Sequence, residues 1–321
     1  MLRSKRIFFV IVFLLAISLF LTNNVYAVYP DKPIKIIAPY NPGGPSDIAC
    51  RTIAEHIQKY LPEPLAVVNI AGAGGVLGCQ EVLNAKPDGY TLLLHHFAMQ
   101  VAYHTGTADF DYDAFTPIAR IGALDNAYFV NADSPWQTLD EFIEYAKDHP
   151  GEVKYGATIG ATSHLNGVAL EDYTGIDLDI IPVDGSALQI AAVLGNHIDM
   201  TCSELGQIVD FQKAGDFRIL AIDTEQRNEK LAPEVPTLME MGIDFALGQK
   251  HGIFAPKGVS EEVISILNSA FENLAKDEDF IADMFERAGI DVAYLPHEEY
   301  VKVLKNYSNT IGNLVEKAGL K

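Results

Sequence analysis

The sequence predicts an α/β protein built as two lobes, and three observations carry that reading. Short apolar runs alternate with stretches of helical periodicity along nearly the whole chain, the signature of repeated strand–helix units. Runs such as IKIIA and YTLLLH are almost continuously apolar rather than alternating, which suits strands covered on both faces and predicts mainly parallel sheets. The 321 residues suffice for two hydrophobic cores, and the stretches 122–130 and 244–254 are the candidate crossings of a hinge. The expected division is residues 28–124 with 250–321 in one lobe and residues 125–249 in the other.

The elements follow in order. IKIIA (34–38) reads as a strand, and Ala49, Ile53, Ile57 and Leu61 mark one face of a helix from about Pro45 to Tyr60. LAVVNI (65–70) is a second strand, followed by a helix from about Gly75, and YTLLLH (90–95) is a third strand. Residues 96–116 show no clear period and read as a long surface connection. TPIARIGA and AYFVN resume the strands, and a helix is expected over 138–148, with Trp136 as a hydrophobic staple before a cap at Thr138. VKYGA, LDIIPV, HIDMTC and FRILAID then alternate with helices near 163–173, 186–194 and 205–214. After GIFAPKG the chain is helical near 260–275, 279–288 and 297–318, and these last helices are expected to pack back on the first lobe.

The N-terminus carries an address. Arg3, Lys5 and Arg6 precede an apolar run from Ile7 to Leu21, and Val25 and Ala27 stand at the small-residue positions of a cleavage site, so residues 1–27 read as a secretory signal peptide. Its removal takes three positive charges and moves the formal charge from −20 to −23. Such an acidic chain is a poor match for nucleic acid or an anionic membrane surface. Cys50, Cys79 and Cys202 fit no metal or redox spacing and read as small buried residues, although export permits a disulfide.

Two glycine-rich bends lie between a strand and a helix: PYNPGGPSD (39–47) and NIAGAGG (69–75). Neither is a Walker loop, which needs a lysine before its Ser or Thr, and the second lacks the third glycine of a dinucleotide fingerprint, Leu77 standing there. Gly44 as N-cap with Pro45 at the first helical position, and Gly43 without a side chain, would leave backbone N–H groups open to an anion at the positive end of a helix. Gly72, Gly74 and Gly75 repeat the device. Asp47 is either a helix-capping acid or an acceptor facing the cleft. GATSHL offers Thr162 or Ser163 as a further N-cap with His164 beside it, and VDGSA places Gly185 and Ser186 at a fourth helix start. Of His95 and His96, whose side chains point to opposite faces, one can reach the cleft and the other packs; no metal is expected. Ser163, His164 and Asp199 can be cast as a hydrolase triad, but Ser and His adjacent on one helix start align poorly and no G-x-S-x-G elbow is present.

These motifs, in order, resemble the substrate-binding proteins of tripartite tricarboxylate transporters, the Bug family, over nearly the whole mature chain: YPDKPIKIIAPYNPGGPSDIACR, VVNIAGAGGVLG, PDGYTLLL, FTPIARIG, GATSHL, IPVDGSA, RILAIDTEQR with APEVPTLMEMG, and GIFAPKGV. The resemblance implies a type II periplasmic binding protein fold, no catalysis and no cofactor. It also implies a single-chain receptor that closes on a small carboxylate and hands it to a large and a small membrane subunit. A receptor feeding a sensor kinase would have the same sequence. The ligand loops it implies are Tyr40, Pro42, Gly43, Gly44, Ser46 and Asp47; Gly72, Ala73, Gly74 and Gly75; Thr162, Ser163 and His164; and Asp184, Gly185, Ser186 and Ala187. His96 and Glu204, at strand ends, complete the expected site. The chain departs from the family at Asn69-Ile70-Ala71, where Asn-Arg-Pro is frequent, and at Val183-Asp184-Gly185-Ser186, where Tyr-Lys-Gly-Ser is frequent. Two basic positions are lost and an acid replaces one, which points to a ligand less anionic than citrate, such as a monocarboxylate or an amino acid.

Overall fold

The computed structural model describes residues 29–321, so the expected signal peptide, residues 1–27, lies outside the described residues. Lys32–Lys321 cluster as one unit and are described together. They form two sheets. The first has six strands in the order β11-β4-β10-β3-β1-β2, where β1 is Ile34–Ala38, β2 Leu65–Asn69, β3 Thr91–His95, β4 Phe115–Leu124, β10 Gln249–Pro256 and β11 Asp291–Leu295. The second has five in the order β7-β6-β8-β5-β9, where β5 is Asn126–Asn131, β6 Lys154–Ala157, β7 Asp179–Pro182, β8 Met200–Glu204 and β9 Phe217–Ile222.

Neither sheet is mainly parallel, which corrects the sequence expectation. β1 pairs in parallel with β2 and β3, and β6 with β7 and β8, but β10 lies antiparallel to β3 and β4, β11 to β4, and β5 to β8 and β9. A continuous apolar run reports burial on both faces and says nothing of direction. Here direction follows from the chain path: β4 runs into β5 through Asp125 alone, with no crossover helix, and β10 enters the first sheet from the second lobe.

The helices are α1 (Pro45–His56), α2 (Val76–Leu83), α3 (Ala98–His104), α4 (Leu139–Asp148), α5 (Thr162–Thr174), α6 (Ser186–Leu194), α7 (Leu205–Ala214), α8 (Glu261–Leu274), α9 (Glu278–Ala288) and α10 (His297–Lys317). Helix α3 falls inside the stretch expected to be a structureless connection. At seven residues it spans under two turns, too short to print a period, yet Met99, Gln100 and Ala102 are buried. Strand β11 was also missed; every residue of it is half-buried at a sheet edge, which gives no contrast to read. The staple before α4 forms as expected: Thr138 accepts from Glu141 N, and the buried Trp136 ring stands 5.1 Å from that of Phe142. All three cysteines are free and buried.

The last helix does not belong to the first lobe alone. Tyr300 and Leu304 pack with Leu93, Phe115 and Phe254 under the first sheet, whereas Tyr307, Ile311, Leu314 and Val315 pack with Tyr128, Tyr155 and Leu165 of the second. Helix α10 is thus a strut across both cores.

Candidate functional site

The two glycine bends form one braced structure. Gly44 is the N-cap of α1 with Pro45 in its first turn, and Gly43, at φ +88°, sits in the left-handed region that favours glycine. Asp47 is buried, and its carboxylate is fully engaged. Oδ2 accepts from Gly43 N at 2.8 Å and Arg51 Nε at 3.1 Å, and Oδ1 accepts from Asn69 Nδ2 at 2.8 Å with Arg51 Nη2 at 3.0 Å. Burial alone would raise its pKa, but Arg51, the Gly43 amide and Asn69 together hold it below the usual carboxylate value. Asn69, at the end of β2, also donates to Tyr40 O at 3.2 Å and accepts from Arg51 Nη2 at 3.1 Å, so one Asp–Arg–Asn network fixes both bends to each other.

In the second bend Gly72, Ala73, Gly74 and Gly75 all have positive φ, and Gly75 caps α2. Gly75 packs against His95: a Cβ there would lie 2.7 Å from His95 Nε2 and 3.4 Å from the Tyr40 hydroxyl. His95 is the packed member of the histidine pair. The two rings do not face opposite ways as expected: His96 lies past the end of β3, where strand alternation ceases, and its ring stands 5.4 Å from that of His95, stacks on Tyr40 at 5.3 Å and stands 5.2 Å from His251. Burial lowers the pKa of His95 to about 4, and it does the same for His251; desolvation and the neighbouring His251 and His95 also push His96 well down. All three imidazoles are therefore neutral at pH 7.

In the second lobe the cap of α5 is Ala161, not Thr162 or Ser163. Ser163 Oγ instead accepts from Thr158 N at 3.0 Å, and His164 Nδ1 accepts from Gly160 N at 3.1 Å, so both side chains are spent on shaping the loop that leads into the helix. Thr158 Oγ1 accepts from Gly185 N at 2.8 Å, and Gln189 Nε2 reaches Thr158 Oγ1, Ser163 Oγ and Val183 O, which ties the starts of α5 and α6 together. No hydrolase triad forms: Asp199 accepts from Lys154 N at the start of β6, whereas Ser163 lies beyond its other end.

Two cavities meet at His96. One, about 380 Å³, is lined by Tyr40, Pro42, Gly44, Ser46, Glu204, Gln249 and His251; the other, about 490 Å³ and mostly apolar, is lined by Ala73, Gly74, Phe97, Val101, Thr162 and Leu320. The buried Asp47, Gly75, Ser163 and His164 line neither cavity and support the loops, Gly43 is exposed outside both, and Gly72 begins the second bend. Asp184, Gly185 and Ala187 are exposed, and with the half-buried Ser186 they line neither cavity. Sequence reasoning missed Arg51, Asn69, Thr158, Gln189, Gln249 and His251. Only Arg51 carried a signal, its i,i+4 spacing from Asp47.

Two lobes joined by two chain passages, with helix starts from both facing one cleft, define a solute-binding receptor. The family model of the tripartite tricarboxylate transporter family receptor, TctC, matches residues 49–320. The chain belongs to that family, whose members are receptors and not enzymes. A Cupriavidus necator relative, the UPF0065 protein in the gbd 5′ region, is 31% identical over 91% of this chain and 89% of its own. A TctC solute-binding protein from Polaromonas superposes with a TM-score of 0.85 at 32% identity, covering 90% of this chain and 99% of its own. MatC from Rhodopseudomonas palustris with bound malate superposes at 0.64 and 25% identity, covering 90% of this chain and all of its own.

Proposed function

We infer that this chain is a periplasmic receptor that captures a small organic carboxylate between its lobes and delivers it to a transporter with a large and a small membrane subunit. The chain crosses between the lobes at Asp125 and Gly248, so that residues 28–124 with 250–321, and 125–249, are the two lobes, with the C-terminal half of α10 packed on the second. The single observation that carries the reading is the cavity in which Ala73 and Gly74 of one lobe face Thr162 of the other across His96. The glycine bends and the α5 start offer backbone N–H groups there, and helix dipoles supply positive potential without a formal cation. Tyr40, Ser46 and His96 add polar side chains. Asp47 and Ser163 act one step back, by holding those loops. The malate-bound relative supports a carboxylate as the ligand class.

A thermal-shift screen against mono-, di- and tricarboxylates tests this. A ligand at a hundredfold excess over its Kd adds about 2.7 kcal/mol of stability. A melting point unmoved by every carboxylate, or moved equally by uncharged analogues, contradicts the reading.

A further inference from the structure

The cavity that holds the start of α1 also holds a carboxylate. Glu204, at the end of β8, accepts from Gln249 Nε2 at 3.0 Å and from Gln207 Nε2 at 2.9 Å, and no Lys or Arg lies within ion-pair distance of it among the described residues. Two amide donors hold the acid in place without neutralising it. The histidines around the same cavity add no charge, as their lowered pKa values show. Tyr40 Oη and His251 Nδ1, in residues that line this cavity, are closed to solvent and have no hydrogen-bond partner, so neither supplies it with a charge. A ligand bearing only carboxylates would bring like charge against Glu204. A ligand bearing an ammonium as well would meet the acid with its cation and the open N–H groups of α1 with its carboxylate. Beyond His96 the adjoining cavity is lined by Phe97, Val101, Ala102 and Leu320, which accept a hydrocarbon chain rather than a second charge.

Building on the receptor reading above, we propose that the ligand is an amine-bearing carboxylic acid with an apolar side chain, its ammonium on Glu204, its carboxylate at Gly44–Ser46 and its side chain past His96. Glu204 is then the residue that sets specificity within the carboxylate class.

Calorimetric titration of matched pairs tests this: leucine against 4-methylpentanoate, and phenylalanine against 3-phenylpropanoate, with malate as a plain dicarboxylate. The wild-type chain binds at least one amine-bearing acid about tenfold or more tightly than its deaminated partner. Glu204→Gln keeps the melting point and brings the pair to near equality. Equal or tighter binding of the deaminated acid to the wild type, or an unchanged ratio in Glu204→Gln, overturns the proposal; the wild-type ratio decides alone if the variant does not fold. Binding of malate and of both members of each pair without preference removes this inference and leaves the receptor reading intact. Binding of no carboxylate at all removes both.

Discussion

On the receptor reading, Asp47 matters for binding by holding the two bends and not by touching the ligand. Its carboxylate has four N–H partners from three places in the chain, so Asp47→Ala takes the acceptor from Gly43 N and one of two acceptors from Asn69 Nδ2, in a part-buried setting. The expected cost is about 1–3 kcal/mol, at the lower end because Arg51 is half exposed, together with a loss of affinity for whichever carboxylate binds. Parallel melting and titration of the variant check it; full affinity with a lowered melting point would reduce Asp47 to a structural brace. Gly75→Ala is expected to be worse for the site. The left-handed backbone costs a non-glycine residue about 1–2 kcal/mol, and the new methyl lies 2.7 Å from the buried His95 ring, so the second bend must shift and affinity falls. Asp47 was legible as a capping acid or a cleft acceptor, and Asn69 was noticed only as part of a departure from the family. That the two share one network was not legible, because their contact depends on how β1 and β2 lie side by side.

At the scale of elements, the helix starts were legible because glycine, proline and short polar residues leave a local chemical mark. What those residues do there was not. Ser163 and His164 were expected as a cap and its neighbour, yet they brace Thr158 and Gly160, while Ala161 occupies the cap position. The reason is Gln189, a buried side chain from the next helix that arrives 26 residues later and makes Ser163 part of an interhelix junction. Gln189→Leu removes donors to Thr158, Ser163 and Val183 and leaves their acceptors buried. A destabilisation of about 1–3 kcal/mol and a faster ligand off-rate are expected. Denaturant melts with stopped-flow release measure both, and an unchanged off-rate would separate this junction from binding. Strand direction was misread for a related reason: burial is written in composition, whereas the partner of a strand is decided by where the chain goes next.

For the whole molecule, the two passages between lobes form a buried polar junction. Asp223 accepts from Asn126 N at 3.0 Å and Asn126 Nδ2 at 3.2 Å, Gly248 N donates to Asp223 O, and Lys250 is buried nearby. Burial, outweighing the Asn126 bonds and Lys250, raises the pKa of Asp223 from 3.8 to about 7. The folded chain therefore holds a proton that the unfolded chain releases above about pH 4, and stability from this group declines as pH climbs from about 4 to about 7, then levels. The full swing is on the order of 4 kcal/mol. Asp223→Asn should gain on the wild type across that window, read as the difference in melting point at each pH; a difference independent of pH would show that the acid stays ionised. Helix α10 ties both cores together beside this junction, and Tyr307 Oη donates to Gly248 O within it.

What everything else depends on is that helix starts from both lobes line one cleft that closes on a single carboxylate-bearing ligand. Backbone amide NMR during titration with the acid that gives the largest thermal shift tests it most directly. The Gly44, Gly74 and Thr162 amides are expected to move in concert, with one common Kd. Shifts confined to one lobe, or to residues far from His96, would contradict it.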